Sequence, residues 1–347
     1  MKNATETRIR KAKKLLFLTL NCCESQIIPI QALSQEEKGI GKDGEARERR
    51  DAQLRTAVMG LAGGINNNGS TCGVVFGGAL NLGMLHRAES QTWDITNEIQ
   101  LLLDVQAYVK KFEQKFGSSL CRERTGLNLK KFTGKLGLLN PNKVRGCVNQ
   151  TAWAMNYVSE SPMVASVPSP DAAKKSTDST SGTEATDIPD ARDTTTDTKE
   201  ALVTSIDHCS TAIFDEVRKR TGIGDAYLRQ LSTGLSGGIG LSGGGCAALS
   251  AAIMLLGLKF GNEKINYDKG EKRSPLRLAP PKFTKTANKL LKVFKKKFGS
   301  LECREITATK FDSIASFNEY RSQGHCIEIK EFVNEFMVKA LLPKKKT

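Results

Sequence analysis

Two halves of this 347-residue chain repeat one another, and the duplication limits the fold more than any other feature. The segment 112–125 is identical to the segment 294–307 at nine of fourteen positions. In each half a Gly-Gly-Ile sequence also ends seven residues before a cysteine, which is Cys72 in the first half and Cys246 in the second. Matches in a fixed order, with small differences in spacing, indicate a tandem repeat of one module. We therefore expect two copies of the same fold.

A polar segment separates the two copies. Residues 161–198 contain 14 Ser or Thr among 38 residues and have no Leu, Phe, Tyr or Trp. Such a segment cannot bury enough apolar surface to offset the entropy lost on ordering. The sequence therefore predicts a first module in residues 1–160, a disordered linker in residues 161–198 and a second module in residues 199–347.

Composition and charge narrow the class of protein. The chain is 39% hydrophobic and 26% charged, which is ordinary for a soluble globular protein, and its formal net charge is +15. The apolar run near the N-terminus covers only residues 15–20, whereas a membrane-spanning helix needs about 20 apolar residues. The same run is too short for the apolar region of a signal peptide. We expect a cytoplasmic chain without a membrane span.

Hydrophobic periodicity predicts an all-α fold. Apolar residues recur at helical spacing in residues 105–116 and again in residues 287–298, just before the third repeated cysteine of each half. Both stretches end at a Phe-Gly dipeptide, where Gly117 and Gly299 suit the left-handed conformation that follows many helices. The fold class is therefore two homologous helical modules joined by the linker, and we expect the modules to pair within the chain.

The repeated cysteines are the candidate site residues. They are Cys23, Cys72, Cys121 and Cys147 in the first module, and Cys209, Cys246, Cys303 and Cys326 in the second. Each lies where the sequence predicts the first turn of a helix; Ser118 and Ser300, as N-caps, would place Cys121 and Cys303 at the third helical position. There the helix dipole and free backbone N–H groups favour an anion, which lowers the pKa of a thiol. Each set of four is expected to hold an iron–sulfur cluster or another metal ion, or to work as a redox dithiol.

The ninth cysteine, Cys22, has no repeated counterpart when Cys23 is aligned with Cys209. In that alignment Asn21 and Asp207 are the predicted helix caps. Cys22 is then most simply a free thiol.

Zinc is a weaker prediction than redox chemistry. Zinc ligands usually come in close pairs such as Cys-x-x-Cys, whereas the intervals here are 49, 49 and 26 residues in the first half and 37, 57 and 23 in the second. His208 and His325 each precede a repeated cysteine and are alternative ligands. Because the first module has Cys22 and Gly146 at these positions, we expect both histidines to face solvent.

Each half resembles the redox-active C_GCAxxG_C_C family. Residues 72–77 (Cys-Gly-Val-Val-Phe-Gly) are similar to a Cys-Gly-Ala-x-x-Gly motif, with Val74 in place of Ala. Residues 246–251 keep the Cys and Ala248 but have neither glycine. The resemblance implies a redox activity with a four-cysteine site in each module, either electron transfer through an iron–sulfur cluster or thiol–disulfide exchange, together with a redox partner protein. The missing glycines put the activity of the second module in doubt.

One alternative function is that of a helical interaction protein whose cysteines are structural or bind zinc. No catalytic triad, paired carboxylates or phosphate-binding loop is evident, so the sequence leaves open whether the chain is an enzyme. Seven lysines in residues 282–297 could attract nucleic acid, but they flank the apolar face of a predicted helix. Aromatic residues make up only 6% of the chain, which argues against a surface for stacking bases.

Overall fold

A computed structural model describes residues 2–19, 21–27, 29, 52–89, 94–161, 206, 208–261 and 279–342. Within these residues the regular elements are helices, and β pairing occurs only as two isolated bridges, so the predicted all-α class is confirmed. The predicted linker lies outside the described residues apart from Ser161. No helix in the described part of the chain combines the length and apolar character needed to cross a bilayer.

The first module contains eight α-helices and one 3-10 turn among its described residues. In chain order they are α1 (Lys2–Thr19), α2 (22–27), α3 (52–58), the turn Met59–Leu61, α4 (Gly73–Glu89), α5 (Ile95–Phe116), α6 (Cys121–Thr125), α7 (Phe132–Gly137) and α8 (Pro141–Ser159).

The described part of the second module repeats the later elements in the same order. They are α9 (Cys209–Thr221), α10 (Ala226–Leu231), the 3-10 turn Ser232–Leu235, α11 (Ala247–Phe260), α12 (Pro281–Phe298), α13 (Cys303–Thr307), α14 (Ile314–Ser322) and α15 (Ile327–Leu341).

The central helix of each module is buried on all sides. Residues 247–257 of α11 are all buried, and α4 is buried over most of its length. A helix that is apolar all round belongs in a core, because any exposed face would leave apolar surface in water. In α4, Gly78 leaves room for the ring of Tyr108, whose hydroxyl donates to the carbonyl oxygen of Val74 at 3.0 Å. This contact fixes α5 against α4.

The amphipathic helices α5 and α12 each cover one face of the core. Most of their large apolar residues are buried, while the seven lysines of α12 are exposed, as the sequence predicted. Both helices end at a left-handed glycine: Gly117 has φ 83° and Gly299 has φ 79°. Each glycine donates its N–H to the preceding helical turn, which satisfies one of the free carbonyl groups there.

The described residues of the two modules contact each other along one continuous hydrophobic core. Helix α4 packs against α10 and the turn Ser232–Leu235, and α11 packs against the turn Met59–Leu61. Polar contacts also cross the boundary. The N–H of Gly245 donates to Thr71 Oγ1 at 2.8 Å, and Arg122 Nη1 lies 3.0 Å from Glu302 Oε1.

Candidate functional site

Helix α2 presents Cys22, rather than Cys23, to the rest of the site. Asn21 caps this helix, because its Oδ1 accepts hydrogen bonds from the N–H groups of Cys23 and Glu24 at 3.1 and 3.0 Å. Cys22 is therefore the first helical residue and is partly exposed. Cys23, one position later, points into the core and has no exposed surface.

Four cysteines of the first module come together, and they are Cys22, Cys72, Cys121 and Cys147. The side chains of Cys22 and Cys72 share a hydrogen bond. Negative charge on Cys22 or Cys147 raises the pKa of the Cys121 thiol beyond the increase caused by burial, so these groups lie within electrostatic range of each other. The structure thus brings together three of the predicted residues and replaces Cys23 with Cys22.

The sequence alignment was wrong by one residue at this helix. His208 is the N-cap of α9 and Cys209 is the first helical residue, so this pair corresponds to Asn21 and Cys22. Ser210 then takes the place of Cys23 and is likewise fully buried. The predicted caps Asn21 and Asp207 agreed with the wrong register, because the N-cap of α9 is His208, whose side chain makes no capping hydrogen bond. The predicted cap Asp207 lies outside the described residues.

His208 is buried, contrary to the prediction that it faces solvent. Its Nδ1 lies 2.8 Å from Ser236 Oγ, and its Nε2 lies 3.1 Å from Glu98 Oε2 of the first module. The side chain is only 4% exposed because the two modules meet over it. His325 is exposed, as predicted, and stacks on the ring of Tyr320.

A pair of backbone hydrogen bonds holds Cys72 and Cys121 side by side. The N–H of Cys72 donates to the carbonyl oxygen of Ser119 at 2.7 Å, and the N–H of Cys121 donates to that of Ser70 at 2.8 Å. The second module repeats both bonds at Cys246 and Cys303. The glycine-rich turn before each second cysteine therefore ends in a fixed extended segment.

Several predicted helix positions need correction, and among them Cys246 and Cys326 are N-caps rather than first-turn residues. Leu120 is the N-cap of α6 and Cys121 is its first residue, rather than its third, because Ser118 Oγ accepts from the N–H of Leu120 in the turn before the helix. Cys303 has the same first position in α13. Cys147 is not in a first turn at all, since α8 begins six residues earlier.

The hydrogen bond between Cys22 and Cys72 gives the two thiols opposite acidities. The hydrogen bond from the Cys72 thiol lowers the pKa of Cys22 to about 7, although burial acts in the opposite direction. The backbone N–H groups of Gly63, Cys22 and Gly73 lower it as well. The pKa of Cys72 is raised well above its ordinary value, because its proton is held in this hydrogen bond and because burial disfavours a second thiolate. The pair therefore releases one proton readily and retains the other.

Gly73 makes this close contact possible. A Cβ atom at this position would lie 2.5 Å from Cys22 Sγ and 3.2 Å from the Cα of Ala62. The corresponding residue of the second module is Ala247, whose methyl group leaves less room for the sulfur of Cys209. A glycine at this position is thus specific to the first module.

A polar wall, formed by Arg124 and Gln150, borders the first site. The Gln150 amide is satisfied at both ends when its oxygen accepts from Nε and Nη2 of Arg124, each at 3.2 Å. Its NH₂ group then faces Cys72 Sγ at 3.7 Å. Burial raises the pKa of Cys147 to about 11, an increase that the positive charge of Arg124 opposes. Neither residue was predicted from the sequence.

The second site has isoleucines at these two positions, and its guanidinium comes from Arg321 of α14 instead. Cys209, Cys246, Cys303 and Cys326 line one cavity of about 20 Å³. Ile306 and Ile329 also line it, and they occupy the positions that correspond to Arg124 and Gln150. Burial raises the pKa of Cys246 to about 12 and that of Cys303 well above the ordinary range. These two thiols therefore stay protonated near neutral pH.

As placed, the cysteines of the second module leave no room for an iron–sulfur cluster. A single water molecule needs about 10–15 Å³, so the second site has room for little more than one water-sized atom. An iron–sulfur cluster contains at least two iron and two sulfide ions and needs several times that volume. Among the described side chains, no group of three or more His, Cys, Asp or Glu is arranged to hold a metal ion. The cluster and zinc predictions stay predictions.

The comparisons with known proteins identify the repeated module. A family model described as "Putative redox-active protein (C_GCAxxG_C_C)" matches residues 40–161 and again residues 207–340. The first match begins after Cys22, whereas the second includes all four repeated cysteines. No curated protein and no solved structure matches the chain.

The family's own motif corrects our view of which module departs from it. As the family's name writes the motif, a glycine precedes the cysteine and an alanine follows it. Gly245-Cys246-Ala247 fits this order, whereas the first module has Thr71 and Gly73 on either side of Cys72. Our expectation that the second motif is the more altered was therefore wrong. Because the two matched regions cover most of its length, the chain belongs to the C_GCAxxG_C_C family of redox-active proteins, as a tandem duplicate.

Proposed function

We propose that the first module carries out thiol–disulfide exchange through Cys22 and Cys72. The observation that carries this proposal is the hydrogen-bonded thiol pair in which the pKa of the partly exposed Cys22 is lowered to about 7. A thiolate at neutral pH, at the start of a helix and beside a second thiol, is the usual arrangement of an attacking cysteine and its resolving partner.

The exchange has two steps. The Cys22 thiolate attacks one sulfur of a substrate disulfide, forms a mixed disulfide and expels the other substrate sulfur as a thiolate, which takes a proton from solvent. Cys72 then loses its proton and attacks the Cys22 sulfur, which releases the second substrate thiolate and leaves a Cys22–Cys72 disulfide. Two electrons have passed from the protein to the substrate. A dithiol substrate reverses both steps.

The environment of Cys22 and Cys72 favours each step. The N–H groups of Gly63 and Gly73 stabilise the Cys22 thiolate before attack. The NH₂ group of Gln150 faces Cys72 and stabilises negative charge that forms there as the second step begins.

The second module supports this site rather than repeating its chemistry. Ala247 takes up the space that Gly73 leaves open beside Cys22 in the first module. The modules would act as an intramolecular pair, since Glu302 of the second module pairs with Arg122, next to Cys121. The redox partner would be any protein or small molecule that presents an accessible disulfide or dithiol.

The test is alkylation of the reduced full-length chain with iodoacetamide over a range of pH, with each cysteine followed by mass spectrometry. We expect Cys22 to titrate near pH 7 and Cys147, which is also partly exposed, near pH 11. Cys72→Ala removes the hydrogen bond and should move the Cys22 midpoint toward 9. Cys23→Ser is the matched control, since Ser210 occupies that position in the second module, and it should leave the midpoint unchanged.

Oxidation supplies the second part of the test. Treatment with the small neutral disulfide hydroxyethyl disulfide should produce a peptide pair linked through Cys22 and Cys72. A Cys22 midpoint near 9, or disulfides that do not join these two residues, would contradict the proposal.

A further inference from the structure

Three large apolar side chains are exposed on and directly after α7. Phe132 is 74% exposed, Leu136 is 47% exposed and Leu139 is 71% exposed. Their spacing of four and three residues places them on one side of the segment. We refer to these three residues as the α7 patch. Scattered apolar side chains are normal on a protein surface, but a contiguous group of this kind marks an interaction site.

The second module shows that this exposure is not imposed by the fold. The segment between its third and fourth cysteines also carries three large apolar residues, Phe311, Ile314 and Phe317, and all three are buried. Phe311 packs edge-on against Phe317, with ring centroids 5.2 Å apart. The same connection is therefore folded inward in one module and turned outward in the other.

Positive charge surrounds the α7 patch. Lys130, Lys131 and Lys135 are exposed in and beside α7. Partial burial lowers the pKa of Lys130, and the positive charge of Lys295 on α12 lowers it further. The basic surface thus continues from the α7 segment onto the lysine-rich helix of the second module. The lysines create a positive electrostatic potential around the patch. This potential attracts a ligand with negative charge and repels one with positive charge.

The patch adjoins the first site along the chain. Helix α7 connects α6, whose first residue is Cys121, to α8, which carries Cys147. The connection is compact. Gly137 lies against the side chain of Leu127, and a Cβ atom on Gly126 would lie 3.5 Å from Lys143 Nζ. A partner seated on α7 therefore lies beside the two elements that supply half of the first site.

We propose that the α7 patch is the docking surface for an acidic partner protein that exchanges a disulfide with the first module. The proposal rests on the function proposed above. The apolar centre and basic rim fit a partner surface with an exposed aromatic or leucine side chain ringed by Asp and Glu. Such an interface gains affinity from the buried apolar anchor and gains association rate from the charges at its edge.

The test compares two synthetic peptides as substrates of the reduced full-length chain. Both contain Phe-Leu and a cysteine in mixed disulfide with mercaptoethanol; glutamates flank Phe-Leu in one and lysines in the other. At low salt the acidic peptide should react about tenfold faster than the basic one, and the ratio should fall as salt is raised. The double variant Phe132→Ser/Leu136→Ser should bring the ratio close to one. Leu342→Ser removes a similarly exposed leucine at the end of α15 and should leave it unchanged.

Two controls separate docking from chemistry. Hydroxyethyl disulfide carries no charge and no anchor, so wild type and all variants should reduce it at the same rate; failure of the wild type to react would overturn the proposed exchange. Binding of the acidic peptide with its cysteine alkylated, followed by fluorescence anisotropy, tests docking alone and should be lost in the double variant. Equal binding of the acidic and basic peptides would overturn the docking of an acidic protein. So would a double variant that no longer binds phosphatidylglycerol vesicles but still binds the acidic peptide as wild type does.

Discussion

At the scale of single residues, Gly73 controls the acidity of the first site. Cys22 Sγ occupies the space that a side chain on residue 73 would fill, and the N–H of Gly73 is one of the groups that lower the pKa of Cys22. Both effects come from one backbone position directly after Cys72. The residue that follows the second cysteine therefore sets how closely the first cysteine can approach it.

Gly73→Ala should separate Cys22 from Cys72 and raise the pKa of Cys22 toward 9. At pH 7 the thiolate fraction then falls about fiftyfold, while the remaining thiolate is about tenfold more nucleophilic, so alkylation should slow by about fivefold. Iodoacetamide kinetics resolved by mass spectrometry measure this rate. Gly146→Ala is the matched control, because a Cβ there meets no atom within 4 Å. Equal slowing in both variants would contradict the role of Gly73.

At the scale of elements, α6 and α8 make the two sites electrostatically different. Arg124 on α6 and Gln150 on α8 hydrogen-bond to each other beside Cys72, and the corresponding positions of the second module hold Ile306 and Ile329. Arg124 opposes the rise in the pKa of Cys147, whereas in the second site Arg321 of α14 opposes the rise in the pKa of Cys303. The same helical frame thus places the positive charge on a different helix and beside a different cysteine in each site.

The variant Arg124→Ile/Gln150→Ile gives the first site the two isoleucines that the second site has at these positions. It should raise the pKa of Cys147 above about 11, since the positive charge that opposes the rise is removed. Alkylation of Cys147 at pH 10 should slow severalfold, as measured by mass spectrometry. Arg145→Gln removes an exposed charge from the same helix and should have a smaller effect. A Cys147 titration that moves equally in both variants would show that only net charge matters.

Sequence patterns predicted those elements that depend on neighbouring residues. The apolar periodicity of α5 and α12 and their terminal glycines are local signals, and all were confirmed. The site depends on contacts between distant residues, such as the bridge that joins Thr71 to Leu120. The register of α2 was wrong because Ile27 and Ile213 matched in sequence, whereas the helix caps fix Cys22 as the counterpart of Cys209. Such long-range contacts cannot be predicted from local sequence patterns.

At the scale of the whole molecule, Glu302 joins the two modules next to their cysteine sites. It corresponds to Leu120 of the first module, yet its carboxylate is buried at the boundary. Burial opposes its ionisation, but the hydrogen bond from Ser300 Oγ at 2.8 Å and the guanidinium of Arg122 outweigh it and hold the pKa of Glu302 below the ordinary value. Folding therefore favours the ionised form.

This low pKa makes the stability of the paired modules sensitive to acid. A carboxyl group whose pKa is lower in the folded state stabilises the fold above its unfolded pKa, and the contribution is lost as pH falls through the folded pKa. Glu302→Gln should lower the free energy of unfolding at pH 7 by about 1–2 kcal/mol, with the difference from wild type shrinking as pH falls from about 5 to about 3. Urea unfolding at several pH values measures this difference in the free energy of unfolding.

The control is Glu305→Gln. The half-exposed carboxylate of Glu305 lies 3.7 Å from Arg122, and its loss should change the free energy of unfolding by less than about 0.5 kcal/mol. A Glu302→Gln difference that is constant with pH would show that the carboxylate acts by packing rather than by charge.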